Sequence, residues 1–174
     1  MKALRALTLW FDTSRSTDHA GDIDRIEWLR VLPFLAAHLA CLGVFFVGVS
    51  PVALWTAAAL YALRMFAITG FYHRYFSHRA FRTSRALQFG FALLGAASVQ
   101  RGPLWWAAHH RHHHRHADTE RDVHSPRHGF WRSHVGWLMT ARNFATNHEA
   151  VKDLGRFPEL RWLDRYDIAV PVAL

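Results

Sequence analysis

The 174-residue chain carries 14 histidines, 8 tryptophans, one cysteine and a formal charge of +8. Half of it is hydrophobic (51%), yet the mean hydropathy is −0.04, so apolar and charged residues are strongly segregated. The lone Cys41 excludes a disulfide framework and a thiolate metal site. Any metal must be held by imidazole, carboxylate or backbone oxygen.

Residues 1–30 are mixed polar and charged; the short apolar stretch at 4–11 lacks the length and cleavage site of a signal peptide. Residues 31–63 contain no Lys, Arg, Asp or Glu. About 20 apolar residues cross a bilayer, so this run predicts two closely joined spans, 31–49 and 51–71. The break falls at Gly48-Val49-Ser50-Pro51, because proline suits a helix start and not its interior. The competing reading is a buried helical hairpin of a soluble protein. Arg25 and Arg30 precede the hairpin, Arg74, Arg79, Arg82 and Arg85 follow it, and the turn has no basic residue. The positive-inside rule then places both ends, and residues 1–30, in the cytoplasm. Arg64, near the end of the second span, is expected to snorkel or to meet polar groups within the protein.

Residues 86–100 are apolar but too few to cross, and Arg85 and Arg101 bound them. They predict a helix lying in the interface, with Trp105 and Trp106 at the same level. Eleven of the histidines then lie between Arg74 and Arg165, on the cytoplasmic side. Residues 166–174 turn apolar again and read as the opening of a further span. The fold class expected is therefore an all-α membrane protein: a transmembrane hairpin, an interfacial helix and cytoplasmic histidine-bearing helices, cut at the start of a third span. The basic charge is assigned to a membrane surface, and no nucleic-acid partner is expected.

The histidines fall in two clusters, His73-Arg74-Tyr75-Phe76-Ser77-His78 and His109-His110-Arg111-His112-His113-His114-Arg115-His116, followed by His124, His128 and His134. Neutral imidazole is the commonest protein metal ligand. On a helix His110, His113 and His114 share a face, but so do His109, His112 and His113, and spacing leaves the register open. His73 and His78, five apart, diverge by about 140° on an ideal helix. They bind different ions, or sit where the helix ends or bulges. A solvated histidine tract is the bland alternative, made less attractive by the second cluster at the same membrane face. His19, His38 and His148 read as isolated packed or hydrogen-bonded residues.

These elements resemble the membrane fatty-acyl desaturases, including the acyl-CoA Δ9-desaturases. The first box of that family, His-Arg-x-x-x-His, is matched at residues 73–78. The second, His-Arg-x-His-His and a basic residue, is matched at residues 110–115. Asp122-Val123-His124-Ser125-Pro126 and Ser133-His134-Val135-Gly136-Trp137 follow in family order. The resemblance extends over residues 31–174, a partial desaturase domain, and selects His110, His113 and His114 as the register. It implies five metal ligands, His73, His78, His110, His113 and His114, in a centre of two iron ions. Asp118, Asp122, His124 and His134 are expected to orient the ligating imidazoles through their other nitrogens. It further implies oxygen-dependent desaturation of a fatty acyl chain, drawn from the bilayer as acyl-CoA or acyl-lipid. Electrons would come from a donor such as a ferredoxin or a b-type cytochrome. The location implied is a bacterial inner membrane.

The family's third histidine box would fall beyond Leu174, so the chain by itself is expected to be inactive. Where animal acyl-CoA desaturases carry an Arg-Asp pair toward the thioester carrier, this chain has Ala108-His109, which leaves the carrier open. Arg142 and Lys152 are candidates for a carrier phosphate. A membrane lipid hydroxylase with the same boxes and a non-enzymatic metal-binding or transport protein are the alternative functions. A transporter should carry ionisable ligands within its spans, whereas here they flank them.

Overall fold

The computed structural model describes residues 8–9, 11–14 and 24–174. His19 and most of the polar N-terminal segment lie outside the described residues. The described chain is helical, with a single isolated antiparallel bridge between Ile26 and Thr140.

Helix α1, Trp28–Val47, and helix α2, Pro51–Ser77, are each long and apolar enough to cross a membrane. α1 begins three residues before the expected position and takes in Pro33, which lies inside the helix in its second turn and removes one intrahelical donor there. Gly48, at φ +72°, makes the turn. α2 then starts as the sequence suggests: Ser50 Oγ accepts from the Ala53 N–H at 3.1 Å, and Pro51 fills the first helical position. Only 6% of either span is buried, and Phe45, Phe46 and Trp55 are at least 77% exposed. A hairpin so exposed is not the core of a soluble protein; an apolar surface of this extent calls for an apolar surrounding.

α2 differs from its expected form at the far end. It runs to Ser77 rather than residue 71, and its last stretch, Ala67–Ser77, is a π-helix. The first histidine box is therefore carried on the continuation of the span.

The core lies beneath this end. Tyr72, Tyr75 and Phe76 of α2 pack with Ala92 and Ala96 of α3 (Arg85–Ala96) and with Leu104, Ala107 and Ala108 of α4 (Pro103–His116). Leu160 and Leu163 of the helix Pro158–Arg165 complete the cluster, with Val151 and Leu154 just before it. α3 corresponds to the expected interfacial helix, shortened at its end, and Ser84 Oγ caps it by accepting from the Leu87 N–H at 3.3 Å. At Gly95 it approaches α2 so closely that a Cβ would stand 2.0 Å from the Tyr72 ring. The Tyr72 hydroxyl, fully buried there, donates to the Arg101 carbonyl at 3.1 Å. Residues 166–174 hold only the short helix Ala169–Ala173.

Candidate metal centre

Two groups of potential ligands form at the end of the hairpin. The first is His73, His78, His110 and His114, and the second is His113, Asp122 and His124.

The π-helix brings the first box together. Its hydrogen bonds close five residues apart, as in His78 N–H to His73 O at 3.2 Å. Residues five apart thus share a face, and His73 and His78, which an α-helix would point away from each other, meet with their Nε2 atoms 3.2 Å apart. The second box contributes His110 and His114, one turn apart on α4. His110 Nε2 lies 3.1 Å from that of His78 and 3.0 Å from that of His114. The Trp106 ring stacks on His110 at 4.8 Å.

A ring nitrogen carries either one hydrogen or one lone pair. His110 Nε2, placed between two other Nε2 atoms, cannot donate to one and accept from the other. Hydrogen bonds therefore cannot make all three contacts of this row at once. Four lone pairs converging on one cation can, and metal–imidazole bonds of about 2.0–2.1 Å separate neighbouring nitrogens by roughly 3.0–3.4 Å. The donor set fits a metal ion, and it is all nitrogen. Burial, and then the charges of His73, His114, His78 and His113, push the His110 pKa down to about 3; the His78 pKa is lowered too, first by burial. Neutral imidazole, the ligating form, is favoured.

In the second group Asp122 is fully buried. Its Oδ2 accepts from His113 Nδ1 at 2.9 Å and from the Asp118 N–H at 3.2 Å, and its Oδ1 from the His124 N–H at 3.3 Å. Burial raises the Asp122 pKa, but these donors outweigh it and the net shift is downward. An anionic Asp122 holds the His113 hydrogen on Nδ1 and leaves Nε2 with its lone pair. The His124 ring stacks on His113 at 4.3 Å.

Of the five expected ligands, four stand in the first group and His113 in the second. Of the four expected orienting residues, Asp122 and His124 flank His113, and Asp118 contributes only its backbone N–H. His134 turns away: its Nδ1 pairs with the Phe130 carbonyl at 2.9 Å and its ring stacks on Phe130. His112, from the discarded register, pairs with the Arg121 carbonyl at 2.8 Å. Arg142 is paired with Asp24 and Lys152 with Glu149.

Two positioning residues escaped the sequence reading. Arg111, inside the second box, donates to the Phe76 and Ser77 carbonyls at 2.9 and 3.0 Å and holds Asp153 with both Nη atoms. It ties α4 to the open end of the π-helix, where backbone carbonyls lack partners. Asp164, from the helix Pro158–Arg165, accepts from the Trp105 N–H at 2.7 Å and from the Thr146 hydroxyl at 2.7 Å, capping α4 across the fold. Gly102 makes room for it: a Cβ there would lie 2.5 Å from the Asp164 Cα. The only sequence signals were an arginine inside a histidine run and a glycine before Pro103.

The chain matches the fatty acid desaturase family over residues 49–174 and belongs to that family. It is 34% identical over 159 residues to an sn-1 stearoyl-lipid 9-desaturase of Anabaena variabilis, covering 86% of this chain and 56% of that protein. An sn-2 palmitoyl-lipid 9-desaturase of Nostoc sp. (strain 36) is also 34% identical, over 167 residues, 88% of this chain and 56% of that protein. An acyl-CoA 5-desaturase of Anemone leveillei is 37% identical over 154 residues, 81% of this chain and 48% of that protein. The chain thus spans about half the length of the curated relatives it matches.

Proposed function

We propose that this chain forms part of a membrane enzyme that introduces a double bond into a fatty acyl chain, acyl-lipid or acyl-CoA, at a di-iron centre. The observation that carries this is the convergence of His73, His78, His110 and His114 Nε2 atoms next to the Asp122-oriented His113, at the end of two exposed apolar helices. An unactivated methylene offers no acid or base a handle, and iron bound here supplies the oxidising power drawn from O₂. His73, His78, His110 and His114 hold one iron, and His113 the other. Asp122 fixes the His113 tautomer. Trp106, stacked on His110, keeps its ring in place. Arg111 keeps the two boxes in register. Relatives whose names place the double bond at position 9 and at position 5 both match, so the site of desaturation is set by the acyl-chain path and not by the histidine groups. Electrons come from an external donor such as a ferredoxin or a b-type cytochrome.

The test is a chimera in which this chain replaces the matching part of the Anabaena stearoyl-lipid desaturase, expressed in cells without their own desaturase. Unsaturated acyl chains by gas chromatography, lost on His110→Ala, support desaturation; hydroxylated acyl chains point instead to a lipid hydroxylase. Saturated lipids alone, with the chimera expressed and iron-loaded, overturn the proposal.

We place the histidine boxes on the cytoplasmic face of a bacterial inner membrane, on the basic residues flanking the hairpin. Ser77 and Ser125 are buried, so they are poor labelling sites; exposed Arg127 and Val49, at opposite ends, are good ones. In a Cys41→Ala background Arg127→Cys should label only from the cytoplasm and Val49→Cys only from outside. The reverse pattern overturns the orientation.

A further inference from the structure

We propose that a cavity separate from both histidine groups binds a phosphate-bearing ligand, as a site additional to the metal centre. The cavity, about 590 Å³, is lined by Arg79, Arg82, Arg85 and Arg156, by Gln88, and by the aromatic side chains Tyr75, Phe81 and Phe157 among others. Its volume lies within the range of small-molecule sites and exceeds what a bare carboxylate would fill.

Two of the arginines are already engaged. Arg85 makes a two-point pair with Glu159, at 2.7 Å on each side, and Arg79 lies 3.7 Å from Asp153. Arg82 and Arg156 pair with no carboxylate among the described residues, so the cavity holds uncompensated positive charge. Guanidinium forks match phosphate oxygens in geometry as well as charge.

The second observation is Gln88, only 3% exposed. Its Oε1 accepts from the Tyr75 hydroxyl at 2.9 Å, while its Nε2 has no hydrogen-bond partner. A buried amide that leaves both N–H groups unmade costs free energy, and a site that supplies an acceptor removes that cost. Gln88 sits in the first turn of α3, where the helix dipole adds partial positive charge of the same sense. Two guanidinium groups, a free amide and a helix start all favour one kind of ligand, a multiply charged oxyanion.

The setting suits the phosphate of an amphiphile. The 16 α-helical residues of α2 rise roughly 24 Å at about 1.5 Å per residue, and its wider, shorter-rising π-helical stretch carries it past a hydrocarbon core of about 30 Å. Tyr75, in its last turn, therefore sits near the headgroup level, and the aromatic walls flank the cavity where an amphiphile turns from polar to apolar. A lipid headgroup and a soluble phosphate share this chemistry, and binding distinguishes them.

The experiment uses the detergent-solubilised 174-residue chain. Native mass spectrometry measures binding of phosphatidylglycerol and of diacylglycerol with the same acyl chains, and calorimetry measures inorganic phosphate. Phosphatidylglycerol should bind roughly tenfold more tightly than diacylglycerol. Arg82→Gln combined with Arg156→Gln should weaken it by about tenfold, Gln88→Glu should weaken it as well, and Arg127→Gln, on another exposed loop, should not. If Gln88→Glu disturbs the fold, the two exposed arginines decide the matter alone. Inorganic phosphate binding with the same dependence on these arginines supports a soluble source, and lipid-only binding supports a headgroup. Equal binding of the two lipids with no phosphate binding, or unchanged binding in the double arginine variant, overturns the site. No readout involves iron or turnover, so failure here leaves the desaturase proposal untouched, and the reverse.

Discussion

The two histidine groups draw on the same helix and are built in different ways. His110 and His114, four apart on α4, point at the first box; His113, about 60° to one side of His110, points at Asp122 instead. In the first group the backbone makes the convergence, through the π-turns of α2, and no carboxylate takes part. In the second a buried carboxylate makes it, by holding one nitrogen of His113. A single helical run of histidines thus contributes to two separate ligand groups when its neighbours differ: a widened helix on one side, a fixed anion on the other.

That difference can be broken at either end. His110→Ala removes the residue whose Nε2 touches two others, and should lower metal affinity of the first group by about a hundredfold or more, read by metal titration of the purified chain. Asp122→Ala should act on the second group alone, with a loss of roughly 10–100-fold, since the ligand stays and only its orientation is released. Equal losses from both groups in either variant would mean that they are one unit. Arg111→Lys keeps the charge but cannot reach two carbonyls and a carboxylate together, so it should loosen the π-helical end and weaken the first group more than the second.

Gly95→Ala tests the packing behind the π-helix. The added methyl meets the Tyr72 ring, and overpacking of this kind costs about 1–3 kcal/mol, visible as a lower melting temperature.

The smallest effect is with pH. His109 lies between the Trp105 and Trp137 rings, with Nε2 donating to the Asn143 carbonyl at 3.2 Å. Burial first, then the charge of Arg101, lowers its pKa from 6.5 to about 3. The folded chain thus refuses a proton that the unfolded chain accepts below pH 6.5. His109 costs nothing above that pH and destabilises increasingly as pH falls from 6.5 toward 3. His109→Gln should therefore show a smaller fall in melting temperature between pH 7 and pH 5 than the unaltered chain.

The hairpin was legible because an uncharged run and a Ser-Pro break are strong one-dimensional signals. The histidine boxes were legible as family motifs, and so were Asp122 and His124. The π-helix was legible only as one alternative, a helix end or bulge between His73 and His78; nothing in Ala67-Ile68-Thr69-Gly70 marks the change of hydrogen-bond register itself. The same limit hid Arg111 and Asp164, whose side-chain partners are 18 to 59 residues distant. Arg82 read only as a basic residue flanking the hairpin and Arg156 was not singled out, since only the fold brings them to one cavity with Gln88. His134 was chosen for its motif, and its place on a short helix beside Phe130 turns it elsewhere.

The most direct test of the metal centre is anaerobic loading of the protein with iron(II), followed by elemental analysis and X-ray absorption. Nitrogen ligation at about 2.1 Å is expected, with iron content falling in His110→Ala and His113→Ala and unchanged in His38→Ala, whose ring pairs with the Phe34 carbonyl inside the first span. Equal iron loss in His38→Ala and His110→Ala, or no retained iron in the unaltered protein, would contradict a metal centre built from these boxes.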